Sequence, residues 1–419
     1  MTNKAGLYLF DKHIADIYQV DDRVYLRQFE KGAYLASPLS IPEDITDIET
    51  TSLLFQERVA GFVSDSLPGS FGHEILDSFF AQNSSGEKPS IIDKLLFIGN
   101  QGLGALEFRP QYNFDKSTEK TLALKELYEE IKAFKRGHDF HSLHSAFLVS
   151  AHSFVGGARS KAVAAINLGT NEVYLGDRNK TLPKGFIPTI IKYDDTQHGD
   201  ENKSTYSKLE YVYYLLAKES GLIMMDCTLL KSDDKYHFVT KRFDIQDGKK
   251  KHVHSLAGLL HVDYNIPRTL GYEDLLRVAV KLGATGSLKQ LFLQMLFNYM
   301  FVNQDDHARN FSFMCDERYV WECTPAYDIT FAKGIKQTRE HQLTLYGKAL
   351  SQITLQDLVK LATEFSIEVE FVSDAIMMMK ELREKRLEGL MQEYKISKTK
   401  QEEVLKAVLQ RDFKGELNG

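Results

Sequence analysis

The hydrophobic pattern of this 419-residue chain changes period near residue 255, and that change limits the folds open to it. Short apolar runs bounded by turn residues read as strands at Lys161 to Leu168, Glu172 to Leu175, Gly185 to Tyr193 and Thr228 to Arg242. One helical pattern, Lys208 to Ser220, interrupts them. After residue 255 the apolar positions recur mostly at helical spacing. A β-rich lobe followed by an all-helical lobe implies an α+β, bilobal architecture, with a cleft between the lobes as the natural ligand site.

The remaining segments fit around that division. Leu7 to Phe10, Ile14 to Val20 and Val24 to Phe29 read as hairpin strands, with Asp21-Asp22 as a turn. Helical patterns follow at Ser52 to Ala60, Ile75 to Phe80 and 91–98. The glycine cluster Gly99-Asn-Gln-Gly-Leu-Gly104 leads into a strand at Ala105 to Phe108 with no helix behind it, so it reads as a structural turn. Residues 116–137 carry apolar side chains at helical spacing and suggest a joining helix. Leu291 to Val302 is interrupted by Gln294 and Asn298 and is too short to span a bilayer, so it reads as a buried core helix. Thr354 with Asp357, and Ser397 ahead of Lys398 to Asp412, are helix-start signals. The expected division is a subdomain at 1–115, a β-rich lobe at 116–244 and a helical lobe at 245–419.

Apolar residues at 43% and charged residues at 26% are those of an ordinary globular enzyme. A net charge of −6 argues against direct nucleic-acid binding by the chain as a whole. Cys227, Cys315 and Cys323 are odd in number and lack Cys-x-x-Cys spacing, as expected of reduced thiols in a cytoplasmic protein. The first residues carry no apolar signal segment, and no membrane association is expected.

Chemistry concentrates between residues 303 and 328. Asn303-Gln-Asp-Asp-His-Ala-Arg-Asn310 is followed by a strand-like run and then Thr324-Pro-Ala-Tyr-Asp328. Phosphoryl transfer needs a group to accept the nucleophile's proton and oxygen ligands to hold magnesium on the phosphates. Asp305, five residues ahead of Asn310, suits the first role, and Asn310 with Asp328 the second. Asp306 competes with Asp305, although the spacing favours Asp305. His307 reads as an organiser of the loop. Lys192 ends an apolar strand from which it could neutralise phosphate charge, and Glu210 near the start of the next helix could hold it, although a helix-start glutamate also suits the macrodipole. Gly156-Gly-Ala-Arg-Ser-Lys161 reads equally as a tight turn or as an anion-binding loop. Val239-Thr-Lys-Arg-Phe-Asp244 ends the β-rich lobe, where backbone groups could meet an adenine edge. His138, His141, His144 and His152 lack acidic partners or a His-Glu-x-x-His pattern and do not read as a metal site.

Taken together, these segments resemble, in order and over nearly the whole chain, the HipA-type serine/threonine kinases, toxin members of bacterial toxin–antitoxin pairs. Asp65-Ser-Leu-Pro68 and Ile98-Gly-Asn-Gln-Gly-Leu-Gly-Ala-Leu-Glu-Phe108 are similar to that family's N-terminal subdomain. Gly157-Ala-Arg-Ser-Lys161 resembles its nucleotide loop, Ile190-Ile-Lys192 its lysine strand and Leu209 to Gly221 its glutamate helix. Arg242-Phe-Asp244 resembles its hinge, and the 305–310 and 324–328 segments its catalytic and metal motifs. The loop departs in carrying Arg159 where Gln is usual, and the hinge in carrying Lys241 where Glu is common.

The resemblance implies a protein-kinase-like fold of the HipA type, with an extra N-terminal subdomain on the β-rich lobe. It implies ATP with Mg2+ and transfer of the γ-phosphoryl group to a serine or threonine of a protein. Some members inactivate an aminoacyl-tRNA synthetase and so halt growth. Asp305 would be the base, and Asn310 and Asp328 the metal ligands. The nucleotide would be met by Ser153, Val155, Gly156, Gly157, Lys161, Lys192, Glu210, His307 and the backbone of Lys241 and Phe243. A regulatory serine, whose phosphorylation ejects the loop, aligns with Phe154, so Ser153 is the candidate. The implied partner is a HipB-like helix-turn-helix antitoxin, with DNA contact mainly through it. A kinase-like nucleotide-binding module or co-repressor with little turnover and a small-molecule kinase are the alternatives.

Overall fold

The computed structural model describes residues 3–83, 88–113, 119–136, 146–153, 160–177, 181–194, 205–334 and 337–415. Its contacts divide the chain into two compact units. The first comprises Met1–Asp195, Thr228–His254 and Gly258–His261, and the second Thr196–Cys227, Ser255–Ala257 and Val262–Gly419.

The first unit holds two larger sheets and a two-stranded hairpin, Ile245–Gln246 with Lys249–Lys250. One is five-stranded, in the order Asp47–Glu49, Arg23–Gln28, Lys12–Val20, Lys4–Leu9, Leu106–Arg109. Its hairpins are those expected from the sequence, and Ala5, Leu7 and Leu9 alternate inward at full burial. The other is six-stranded, in the order Cys227–Ser232, Lys235–Lys241, Ile187–Lys192, Lys161–Asn167, Glu172–Leu175, Lys120–Ala123. The run 228–242 is thus two strands, turned at Asp233 in the left-handed region. Residues 52–60 hold only a short 3-10 turn, Leu54–Gln56. Helix Ile91–Ile98 is capped by a reciprocal Ser90–Asp93 pair. The joining helix runs Leu124–Lys135, and the residues before it form a strand.

Inside this unit a chain of buried polar groups ties distant segments together. His254 hydrogen-bonds Asp65 through Nδ1 at 2.7 Å and Ser37 through Nε2 at 2.8 Å. Nε2 of His252 donates to the Ala36 carbonyl at 2.8 Å, and the Gly61 N–H donates to Nε2 of His261 at 3.0 Å. Glycine is required where these segments meet: a Cβ on Gly61 would lie 2.1 Å from the Gly258 carbonyl oxygen, and one on Gly258 2.5 Å from Oδ2 of Asp65.

The second unit is mainly helical, with helices Thr205–Glu219, Tyr272–Lys281, Leu288–Met300, Leu355–Glu364, Val369–Lys385, Leu387–Glu393 and Lys398–Val408. Thr354 caps its helix in a reciprocal pair with Asp357, and Ser397 accepts from the Lys400 N–H, as the sequence suggests. Residues 291–300 of Leu288–Met300 are all buried, which accounts for its weak amphipathicity. Phe297 stacks on Phe301 at 4.4 Å, and the Tyr213 hydroxyl donates to the Phe301 carbonyl at 2.7 Å. The strand-like run after Asn310 is a hairpin, Ser312–Cys315 with Trp321–Cys323. Among the described residues no helix is long and apolar enough to cross a membrane.

Candidate active site

The loop that carries the acidic residues leaves the buried helix through Val302, whose φ of 57° turns the chain sharply. The Gln304 N–H then donates to the Ala332 carbonyl, and the Ala332 N–H to the Val302 carbonyl, pinning the start of the loop. The next two residues face opposite ways. Asp306 is fully buried and accepts from the Tyr272 hydroxyl at 2.6 Å, Nδ1 of His341 at 2.9 Å and the Gln342 N–H at 2.7 Å. The Asp305 side chain is 47% exposed. Burial therefore separates two neighbours that spacing alone only ranked: one carboxylate is an anchor, the other faces outward.

Asn310 sits in the single 3-10 turn Ala308–Asn310 and donates from Nδ2 to the Asp305 carbonyl at 2.8 Å. Its amide oxygen is left as an acceptor beside the loop. Nε2 of His307 is 3.9 Å from Oδ1 of Asp305, and the His307 ring packs on Tyr264 at 5.3 Å. Asp328 has a φ of 53°, a left-handed conformation rare for a non-glycine residue and worth noting at a site. The residue before it ties the two motifs together. The Tyr327 hydroxyl donates to the Arg309 carbonyl at 2.8 Å and lies 2.6 Å from Oγ of Ser312. The chain segments bearing Asn310 and Asp328 are thereby fastened at one end of the hairpin. One amide oxygen and one carboxylate suit magnesium, which takes few protein ligands and completes its shell with phosphate oxygens and water.

Glu210 belongs to this unit. Its helix begins at Thr205, so Glu210 lies in the second turn rather than at the opening, and it is only 5% exposed. A first-turn macrodipole role does not account for it, because that effect fades after the first turn.

In the first unit, Lys161 and Lys192 are directly opposed across neighbouring strands, and Phe238 opposes Lys192 from the other side. Lys161 is buried, and Nζ of Lys192 lies 5.5 Å from the Phe238 ring centre. Lys241 pairs with Thr189 at the end of its strand. Beyond it, Arg242 and Asp244 form a buried two-point pair at 2.9 and 2.6 Å. Asp244 also accepts from the Gly104 N–H at 2.7 Å, and Arg242 donates to the Gly102 carbonyl at 3.3 Å. The glycine cluster is thus a structural turn held by the residues around Phe243. Burial alone would raise the Asp244 carboxyl, but the Arg242 charge and these bonds hold it below the usual range.

Val155, Gly156, Gly157 and Arg159 lie outside the described residues, as do His138, His141 and His144. Ser153 is the last residue of helix Ala146–Ser153, and its side chain is likewise outside them. His152 is buried with Nε2 3.0 Å from the Tyr193 hydroxyl. The anchors Tyr272 and His341 are what the sequence reading missed, since they lie 34 and 35 residues from Asp306.

An α+β chain with a β-rich unit, a helical unit and an Asp–Asn–Asp loop system has the architecture of HipA-type proteins. The model of the HipA-like C-terminal domain matches residues 153–395, more than half of the chain, and the chain belongs to that family. Among solved structures, the chain is similar to the Shewanella oneidensis MR-1 toxin–antitoxin system HipA, HipB and operator DNA complex. That likeness has a TM-score of 0.66 at 16% identity and covers 97% of this chain and 96% of the other. A weaker likeness, with a TM-score of 0.33 at 12% identity, is to the Helicobacter pylori proinflammatory kinase CtkA; it covers 57% of this chain and 93% of that one.

Proposed function

We propose that this chain is an ATP- and Mg2+-dependent serine/threonine protein kinase of the HipA toxin type, restrained by a HipB-like helix-turn-helix antitoxin. The observation that carries the reading is the division of labour at Asp305 and Asp306. The half-exposed Asp305 would accept a hydroxyl proton, its carbonyl is gripped by Asn310, and its neighbour is locked inward. Magnesium, held by Asn310 and Asp328, would supply charge neutralisation on the transferring phosphoryl group.

The opposed lysines support the nucleotide part. Two lysines opposed across neighbouring strands would offer a polyphosphate paired positive charge at Lys161 and Lys192. Lys192 would neutralise phosphate charge, backbone groups of Lys241 and Phe243 would meet the adenine, and Gly156 and Gly157 would approach the phosphates. An antitoxin fits the Shewanella likeness, whose complex contains HipB and operator DNA. The acceptor would be a protein in the cytoplasm, an aminoacyl-tRNA synthetase being one option, with Ser153 as a self-phosphorylation site.

The test is incubation with γ-labelled ATP and magnesium, alone and with a cell lysate, beside Asp305→Ala. Label on a discrete lysate protein, lost with the variant, is the expected result. Nucleotide binding without label on any protein would refute the protein-kinase reading and favour a nucleotide-binding module or a small-molecule kinase.

A further inference from the structure

We infer that Asp306 and His341 form a positioning pair that sets the direction of Asp305; this rests on the catalytic role proposed for Asp305. Three observations converge on Asp306. Its carboxylate is completely buried, its three donors come from two separate segments, and it is adjacent in sequence to the exposed Asp305. Tyr272 is the first residue of helix Tyr272–Lys281, while His341 and Gln342 belong to the segment after Asp328.

These two donor segments are themselves fastened. The Tyr272 N–H donates to the Thr344 carbonyl at 2.8 Å, and the Arg268 N–H to the Gln342 carbonyl at 2.7 Å. Behind them, Asn298 donates to the Tyr272 hydroxyl at 3.2 Å and accepts from Asn303 at 2.9 Å. The path from the buried helix through Tyr272 to Asp306 therefore closes on the loop's own first residues.

A carboxylate held by three donors is fixed in place, and it fixes the backbone from which the half-exposed Asp305 side chain leaves. Asp305 takes its direction from the backbone that Asp306 holds. The 341–342 end of the anchor belongs to the chain that follows the proposed metal ligand. Displacement there would reach Asp305 through Asp306, and Asn310 only through its bond to the Asp305 carbonyl. Nε2 of His341 is buried with no hydrogen-bond partner, so the ring contributes through Nδ1.

That asymmetry makes the inference testable with His341→Asn and His341→Leu. The Asn amide nitrogen can stand where Nδ1 does, whereas Leu has no donor. Turnover and Mg-ATP affinity would be measured together with hydrogen–deuterium exchange across residues 303–310. A misplaced reacting group costs about a hundredfold. We expect His341→Leu to lower kcat by that order with a much smaller loss of Mg-ATP affinity, to raise exchange at 303–310, and His341→Asn to restore both. Unchanged exchange and kcat in His341→Leu would overturn the inference. So would exchange raised throughout the helical unit, or equal loss in both variants, because either marks a merely structural role. If the wild-type protein transfers no phosphate yet exchange responds locally and Asn restores it, the anchor stands and the kinase reading fails.

Discussion

A single carboxylate can be a liability or an anchor according to what surrounds it, and this chain holds several of both kinds. Asp305→Ala should reduce transfer by about 10²–10⁴-fold, the usual worth of a general base, while nucleotide affinity stays near wild type. Asp328→Ala should weaken Mg-ATP binding as well, and titration with a fluorescent nucleotide separates the two. The Arg242–Asp244 pair poses a different question. Arg242→Met strands a buried carboxylate and should destabilise the protein by about 3–5 kcal/mol in chemical denaturation, whereas replacing both partners by apolar residues should cost much less. The Asp305, Asn310 and Asp328 set can be proposed from sequence because all three lie within one short stretch. The choice between Asp305 and Asp306 was not fully legible there, because it depends on Tyr272 and His341, which only folding brings near.

At the scale of elements, the helix Leu288–Met300 illustrates both what periodicity conveys and what it omits. Its apolar length marks it as core, yet Gln294 and Asn298 are buried too, and Asn298 serves the Tyr272–Asn303 network. Phe297→Ala should cost about 3–5 kcal/mol because its stack on Phe301 collapses into a cavity. The 228–242 run reads as one strand only if Ser232-Asp233-Asp234 is overlooked, a turn signal of the same kind as Asp21-Asp22. The histidines of the first unit yield a pH prediction. Burial, aided by the charge of His254, lowers His252 and His261 to about 4, and the Gly61 N–H bond needs an unprotonated Nε2 on His261. A histidine that is neutral when folded favours the folded state above its ordinary value of about 6.5. That contribution should be lost as pH falls towards 4. Thermal melts over this window should show a falling midpoint, and His261→Gln should flatten the slope.

For the molecule as a whole, charge and family point to a shared task. With a net charge of −6, the chain alone should show no salt-sensitive retention of DNA in a filter assay, and retention should appear only with the proposed HipB-like partner added. The α+β division was readable from the change of period near residue 255. Where the contacts divide the chain was less so, since the helix Thr205–Glu219 groups with the later helices although β-rich segments flank it. Sequence order records neighbours along the chain, and this division is made by neighbours across it.

The bonds that join Ser37, His254 and Asp65 have one more consequence. Serine oxygen to imidazole at 2.8 Å and imidazole to carboxylate at 2.7 Å is the distance pattern of an esterase charge network, and a geometric template search would select it. Ser37 and His254 are wholly buried, so a substrate would have no entrance. A fluorophosphonate probe should leave Ser37 unlabelled in the folded protein, which makes this trio a useful decoy for methods that infer hydrolases from side-chain distances.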